Sequence, residues 1–257
     1  MTLRRFLRRA WLPALALGAV LAAQAAGANR LKLWEIVHSQ CVAAALKSEP
    51  LAPPCVEVDL KGGEARGEVI LKDRVGVAQL LALPAARVTG IEDPQLLAPD
   101  APLYFAGAWR ARADMRRYLA AAPARAGLSI AVNSMVSRSQ DQLHLHVDCL
   151  TPDVAKVLAD YAPYVDGQWR AMTVALNGRK YWARRVDSAD LEGIDPFHIL
   201  ADEMANARGE MGLWSLAAAP MSFGDKPGFV LLADHAELTA GGHAEDLQDH
   251  DCALARP

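Results

Sequence analysis

Apolar positions recur along this chain with two periods, one helical and one of two residues. Residues 31–46 repeat apolar side chains at helical spacing and predict a first helix, which contains Cys41. Short β-type runs follow at 55–58 and 68–72, separated by Gly62, Gly63 and Gly67. Residues 76–83 form a mixed apolar run, and 87–91 predict a further strand. The three prolines within 93–102 mark a loop. Residues 104–122 predict a helix with Arg and Asp on one side, broken at 123–127.

Two strands are expected at 128–133 and 142–150, around a polar, turn-rich segment at 134–141. Thr151 and Pro152 suit the N-cap and first position of a helix running through Ala162. Asn177-Gly178 is a strong turn dipeptide and predicts a hairpin of 172–176 with 181–186. Residues 194–207 read as a helix, and 214–218 and 229–233 as strands around a turn at 224–228. Helices mixed with antiparallel hairpins predict an α+β fold: an antiparallel sheet with packed helices, rather than a parallel doubly wound sheet. No repeat of 20–50 residues and no clean linker is visible, so residues 29–257 read as one domain.

Residues 1–28 have a different pattern. Arg4, Arg5, Arg8 and Arg9 precede an uncharged, apolar stretch from Ala10 to Asn29. Small residues recur at Ala23-Gln24-Ala25 and Ala26-Gly27-Ala28. This order predicts an N-terminal helix acting as a signal peptide or as a membrane anchor. Both leave the arginines in the cytoplasm and export the body.

Composition narrows the classes. Hydrophobic residues make up 52% and charged residues 22%, which excludes disorder. The net charge is −3, and the four leader arginines are the only charges before Arg30, so the body is more acidic still. An acidic body excludes sequence-independent nucleic-acid binding. Four cysteines in an exported chain predict disulfides, with Cys41–Cys55 and Cys149–Cys252 preferred among the three connectivities. No C-x-x-C spacing supports a zinc ribbon or redox motif.

The chemistry concentrates in 129–149. Leu143, Leu145 and Val147 alternate with Gln142, His144, His146 and Asp148, so a strand puts the two histidines on one face. Asn133, Ser134, Ser137, Arg138, Ser139 and Gln140 precede them and offer donors suited to a phosphate or pyrophosphate. Three plainer readings remain open on these residues alone. The histidines are solvated on an outer sheet face, or they bind zinc with Asp148, His198 or His235, or the loop is only a turn.

The run Q-L-H-L-H-V resembles the histidine-triad motif H-φ-H-φ-H-φ-φ, and residues 129–149 resemble the CDP-diacylglycerol pyrophosphatase family. Further blocks carry the same resemblance: Leu33-Trp34-Glu35-Ile36-Val37 with Cys41, Pro53-Pro54-Cys55 with Val58-Asp59, Val69 to Asp73, Tyr181 to Val186, Phe229 to Ala233, and Glu245 to Cys252. It extends over the body from about Leu31.

The resemblance implies a histidine-triad-like fold and hydrolysis of CDP-diacylglycerol to CMP and phosphatidate. It implies His144 as the nucleophile and His146 as the third triad position, holding the transferred group. Gln142 stands where the triad has its first histidine; its amide can donate but cannot titrate. Asn133, Ser137, Arg138, Ser139 and Gln140 are the expected phosphate donors, with Lys72 from a neighbouring strand. No metal or other cofactor is expected. The expected partner is the lipid-nucleotide substrate at the surface of the bacterial inner membrane, with the body in the periplasm. A soluble nucleotide diphosphate and a non-catalytic binding role are the competing readings. The chain is roughly twice a minimal triad domain in length, which suggests two fused halves.

Overall fold

The structure, a computed structural model, describes residues 30–236 and 241–256. The expected leader at 1–28 lies outside the described residues. Among the described residues, no helix is long and apolar enough to cross a membrane.

The first helix forms in three consecutive pieces: α1 (Lys32–Ile36), a π-helical Val37–Val42 and α2 (Ala43–Leu46). Cys41 in the middle piece is bonded to Cys55, the first residue of β1 (Cys55–Asp59). The chain continues through β2 (Glu68–Lys72), β3 (Leu80–Pro84), α3 (Tyr104–Ala111), β4 (Leu128–Val132) and β5 (Leu145–Leu150). Then come α4 (Pro152–Tyr161), β6 (Arg170–Ala171), β7 (Trp182–Val186) and α5 (Pro196–Glu203). The long hairpin of β8 (Trp214–Phe223) and β9 (Lys226–His235) and the short β10 (Gln248–Asp249) complete the chain.

All ten strands join one antiparallel sheet in the order β1-β2-β3-β5-β4-β8-β9-β7-β6, with β10 pairing the end of β5. The fold is therefore α+β with an antiparallel sheet and packed helices. The sheet also has an internal logic that the sequence hides. Helix, strands, helix and a β-hairpin occur once up to β5 and again from α4 to β9. The two halves meet at β4–β8, where Ala131 faces Ala217. Across the next strand, Ala131 pairs with His146 in the first half and Ala217 pairs with Leu232 in the second.

One face of the sheet packs Ile70, Leu80, Ala82, Ile130, Leu145, Val147, Leu216 and Leu231 against α3 and α5. The other face carries two separate clusters. One holds α1 and its continuation on Val69, Leu71, Leu81 and Leu83. The other holds α4 on Ala131, Leu150, Ala217, Val230 and Leu232. The histidine face of β5 lies between these two clusters.

Several elements differ from expectation. Residues 104–122 are helical only to Ala111, then tighten into a 3₁₀ turn over Arg112–Arg117. The alanines at 120–122 leave the core, so no apolar stripe sustains another turn. The expected strand at 87–91 is a loop, because Gly90 lets the Arg138 guanidinium approach where any Cβ would collide with it. Strand β5 starts at Leu145 rather than at residue 142. The helix expected at 194–207 spans Pro196–Glu203, with Asp195 accepting from the amides of Phe197 and His198. The hairpin expected around Asn177 and Gly178, both at positive φ, does form: Leu176 and Arg179 exchange backbone bonds, the Met172 amide donates to the Tyr181 carbonyl, and β6 extends the pairing along β7.

The second disulfide joins Cys149 of β5 to Cys252, across 103 residues of sequence. It ties the C-terminal segment to the strand that carries the histidines.

Candidate active site

His144 immediately precedes β5 and His146 is its second residue, and both are buried, with 8% and 5% exposure. The face shared by His146 and Asp148 is covered, not solvated, although these positions alternate with core residues as a strand requires. The imidazoles of His144 and His146 meet edge to face, with centroids 4.9 Å apart. Nδ1 of His144 lies 2.6 Å from the carbonyl oxygen of Gln142. A carbonyl only accepts, so Nδ1 carries the hydrogen and Nε2 holds a lone pair. Burial, then the neighbouring His146, push the His144 pKa down to about 4, against the pull of the Gln142 carbonyl. His144 is therefore neutral at physiological pH.

Gln142 itself is fully buried. Its amide nitrogen donates to the carbonyls of Pro84 and Ala86, at 3.1 and 2.9 Å. The amide in place of a first histidine thus anchors the segment leading into β5 to the end of β3.

A C-terminal strap covers the histidines. Gly242 starts it at positive φ, and a Cβ there would run into Ser134. The Gly242 amide donates to Asp234, and the Gly242 carbonyl accepts from the Ser134 amide. Glu245 follows and is clamped by Asn133. The Asn133 amide donates to Oε2 at 3.0 Å, and the Glu245 backbone N–H donates to Oδ1 of Asn133 at 3.2 Å. Oε1 of Glu245 lies 3.2 Å from the Gln79 amide nitrogen and 3.2 Å from Nδ1 of His146. Gln248 then donates to the Ser129 hydroxyl and to the His146 carbonyl. His250 pairs with Asp148 at 2.9 Å.

Electrostatics follow from this packing. Burial works to raise the Glu245 carboxyl, but His146, the amides of Gln79 and Asn133, and His243 outweigh it and hold it ionised. Burial lowers the pKa of His146, with Glu245 opposing and His243 and His250 adding to the fall. Burial raises Asp148 to about 6, against the stabilising contacts from His250 and the Cys149 amide. Nε2 of His146 is buried and has no hydrogen-bond partner among the described residues.

The expected phosphate donors separate in space. Asn133 reaches the histidine site through Glu245. The Ser137 hydroxyl contacts Ser134 and donates to the Gly242 carbonyl at 2.5 Å, so it fastens the start of the strap. Arg138 is buried and bidentate on Glu92, with Asp141 as a further partner, so its charge is spent inside the loop. Ser139 is exposed, and its carbonyl accepts from the Gln140 amide. The Gln140 side chain accepts from the Leu33 amide and so tethers the first helix. Lys72 does not join the histidines. It alternates with Leu71, which belongs to the histidine side of the sheet, and its Nζ donates to the carbonyls of Asp73 and Gly76. Two clefts, of about 530 and 520 Å³, contain no histidine. They lie against α4 and between residues 92–97 and 208–213.

The family model for CDP-diacylglycerol pyrophosphatase matches residues 28–256. The chain belongs to the CDP-diacylglycerol pyrophosphatase family. It is 40% identical over 228 residues to a CDP-diacylglycerol pyrophosphatase of Yersinia pestis, covering 88% of this chain and 85% of that protein.

Two members of the site in this pyrophosphatase sequence escape motif reading. Glu245 lies about a hundred residues from the histidines, inside the C-terminal block that carries the family resemblance. Gln79 is a single polar residue in an apolar run, fully buried, which is the signal that marks it. The remaining histidines belong elsewhere or to the strap. His38 stacks on Trp34, His198 pairs with the capping Asp195, and His235 packs on Trp214. His243 and His250 flank Glu245 at 3.9 and 3.7 Å.

Proposed function

We propose that this member of the CDP-diacylglycerol pyrophosphatase family splits its substrate into CMP and phosphatidate by two displacements at the cytidylyl phosphorus, through His144. The observation that carries this reading is the 2.6 Å contact from His144 Nδ1 to the Gln142 carbonyl, which leaves Nε2 as a fixed, neutral nucleophile. In the first displacement Nε2 bonds to phosphorus, the bond to the bridging oxygen breaks, and phosphatidate leaves. In the second, water bonds to phosphorus and the electron pair of the P–N bond returns to Nε2. His146 faces the transferred group beside His144. Arg138 and Ser137 support these steps by holding the loop and the strap. This division of labour is that of a histidine-triad-like enzyme with an amide at the first position.

The leader pattern and the two disulfides support a body exported to the periplasm and held at the bacterial inner membrane, where a diacyl substrate resides.

CMP release from CDP-diacylglycerol in detergent micelles, with a chelator present, tests the reading. Wild-type protein is expected to turn over, and folded His144→Ala to fall by at least a thousandfold. Turnover by His144→Ala near the wild-type rate overturns the nucleophile. Cleavage of a soluble CDP ester alone overturns the lipid substrate.

A further inference from the structure

The two histidines are held by opposite kinds of group. Nδ1 of His144 faces the Gln142 carbonyl, which only accepts, so the ring hydrogen is on Nδ1 and the lone pair on Nε2. Nδ1 of His146 faces the amide nitrogen of Gln79 at 3.1 Å, and an amide nitrogen only donates. Nδ1 of His146 is therefore the acceptor. Burial keeps this ring neutral, so its one hydrogen is on Nε2. That N–H is buried beside the His144 ring, with no partner among the described residues. An unmet buried donor is costly unless a ligand supplies the acceptor.

Glu245 explains why the Gln79 amide points this way. Gln79 immediately precedes β3 and is fully buried. Its nitrogen lies 3.2 Å from Oε1 of Glu245. With the amide turned over, its oxygen would stand there instead, against an ionised carboxylate. Asn133 fixes Glu245 in turn, through its own amide on Oε2.

We propose that Gln79 is a positioning residue that holds His146 in the tautomer opposite to that of His144, so that Nε2–H of His146 donates to a non-bridging oxygen of the phosphorus under attack. This rests on the two-displacement reading above. The adjacent rings then divide the work. Nε2 of His144 bonds to phosphorus, while Nε2–H of His146 meets the charge that develops on oxygen. The hydrogen stays on His146 throughout, so this ring serves as a donor and not as a base.

The first test reads the tautomer itself. Full-length protein is labelled with nitrogen-15 in histidine, and long-range proton–nitrogen correlation spectra are recorded at neutral pH. Signals that vanish in His146→Gln belong to His146. Wild type is expected to carry hydrogen on Nε2 of His146 and none on Nδ1. Hydrogen on Nδ1 overturns the proposal, whether or not any variant at position 79 folds.

The second test reads the donor. Gln79→Leu removes the N–H that faces Nδ1 and leaves the Glu245 carboxylate 3.2 Å away, which favours hydrogen on Nδ1. CMP release is measured on substrate with sulfur in place of either non-bridging oxygen of the cytidylyl phosphorus. Sulfur accepts hydrogen bonds poorly, so wild type is expected to prefer one diastereomer by about tenfold, the worth of one such bond. In folded Gln79→Leu, turnover of the unsubstituted substrate is expected to fall by about a hundredfold, and the preference to move toward parity. A merely structural role would slow both diastereomers alike. Turnover at the wild-type rate, or a lower rate with the preference unchanged, overturns the role of Gln79. No CMP release by wild type strikes the two-displacement reading and the donor role with it, and the spectrum still decides the tautomer.

Discussion

At the scale of single residues, the chemistry depends on keeping imidazoles neutral inside the protein. His144 is pushed to about 4 chiefly by burial, so its imidazole stays unprotonated far below the ordinary histidine value of ~6.5. The acid limb of kcat/KM is expected well below pH 6; a limb at 6.5 contradicts a buried neutral nucleophile. Stability is linked to the same shift. Between about 6.5 and 4 the unfolded chain binds a proton that folded His144 refuses, so stability falls as pH falls, by about 2 kcal/mol at pH 5 from this group. Asp148, raised to about 6, works in the opposite sense, because the folded state takes its proton first. Asp148→Asn removes that compensation, and its melting temperature is expected to drop more steeply than wild type between pH 7 and 5. A parallel drop contradicts the assignment. Gln142 makes a third case. Removing its amide leaves the Pro84 and Ala86 carbonyls unpaired, and Gln142→Ala is expected to lose about 1–3 kcal/mol in denaturant unfolding.

At the scale of elements, the strap brings Glu245 onto the histidines, and three of its attachments span its length. They are the Gly242 bonds to Asp234 and Ser134, the pairing of β10 with β5, and the Cys149–Cys252 bridge. A bridge across 103 residues is worth about 4–5 kcal/mol in the chain-entropy model. A Cys149→Ala/Cys252→Ala double variant is expected to lose stability of that order and to lose activity with it, because Glu245 is no longer fixed. Full activity in the double variant, measured as CMP release, would show that the strap holds without the bridge.

The strap also marks how far the sequence is legible. The alternation through 142–150 and the Asn177-Gly178 turn appear in the chain because each depends on near neighbours. The cover over the histidines does not, because Gln79, Asn133 and Glu245 meet only after three distant segments are folded. For the same reason Arg138 reads as a phosphate ligand in sequence, and only the fold shows Glu92 taking its guanidinium. Lys72 fails differently. Its neighbours Val69 and Leu71 belong to the histidine side, and strand period alone places Lys72 on the other, but the sequence does not say which side the histidines occupy.

At the scale of the whole molecule, two similarly ordered halves share one sheet, and the hairpin of the second carries a single histidine, His235, at the end of β9 against Trp214 rather than a pair. Leu232 stands where His146 stands, paired to Ala217 as His146 is paired to Ala131. That second face is filled by α4 through Val154 and Leu158. One active site per chain follows. Labelling with the cytidine-tagged substrate is expected to saturate at one group per chain, and Leu232→Ala is expected to cost about 2–5 kcal/mol of stability while leaving kcat unchanged. A limit of two labels per chain contradicts the division.

The most direct test of the central claim, two displacements through His144, is the stereochemical course at phosphorus. CDP-diacylglycerol bearing a chiral thiophosphate at the cytidylyl position is hydrolysed in isotopically labelled water, and the configuration of the CMP product is read. Two inversions give overall retention, with the water oxygen in CMP, and that is the expected result. Inversion at the cytidylyl phosphorus, or water oxygen found in phosphatidate, contradicts the account.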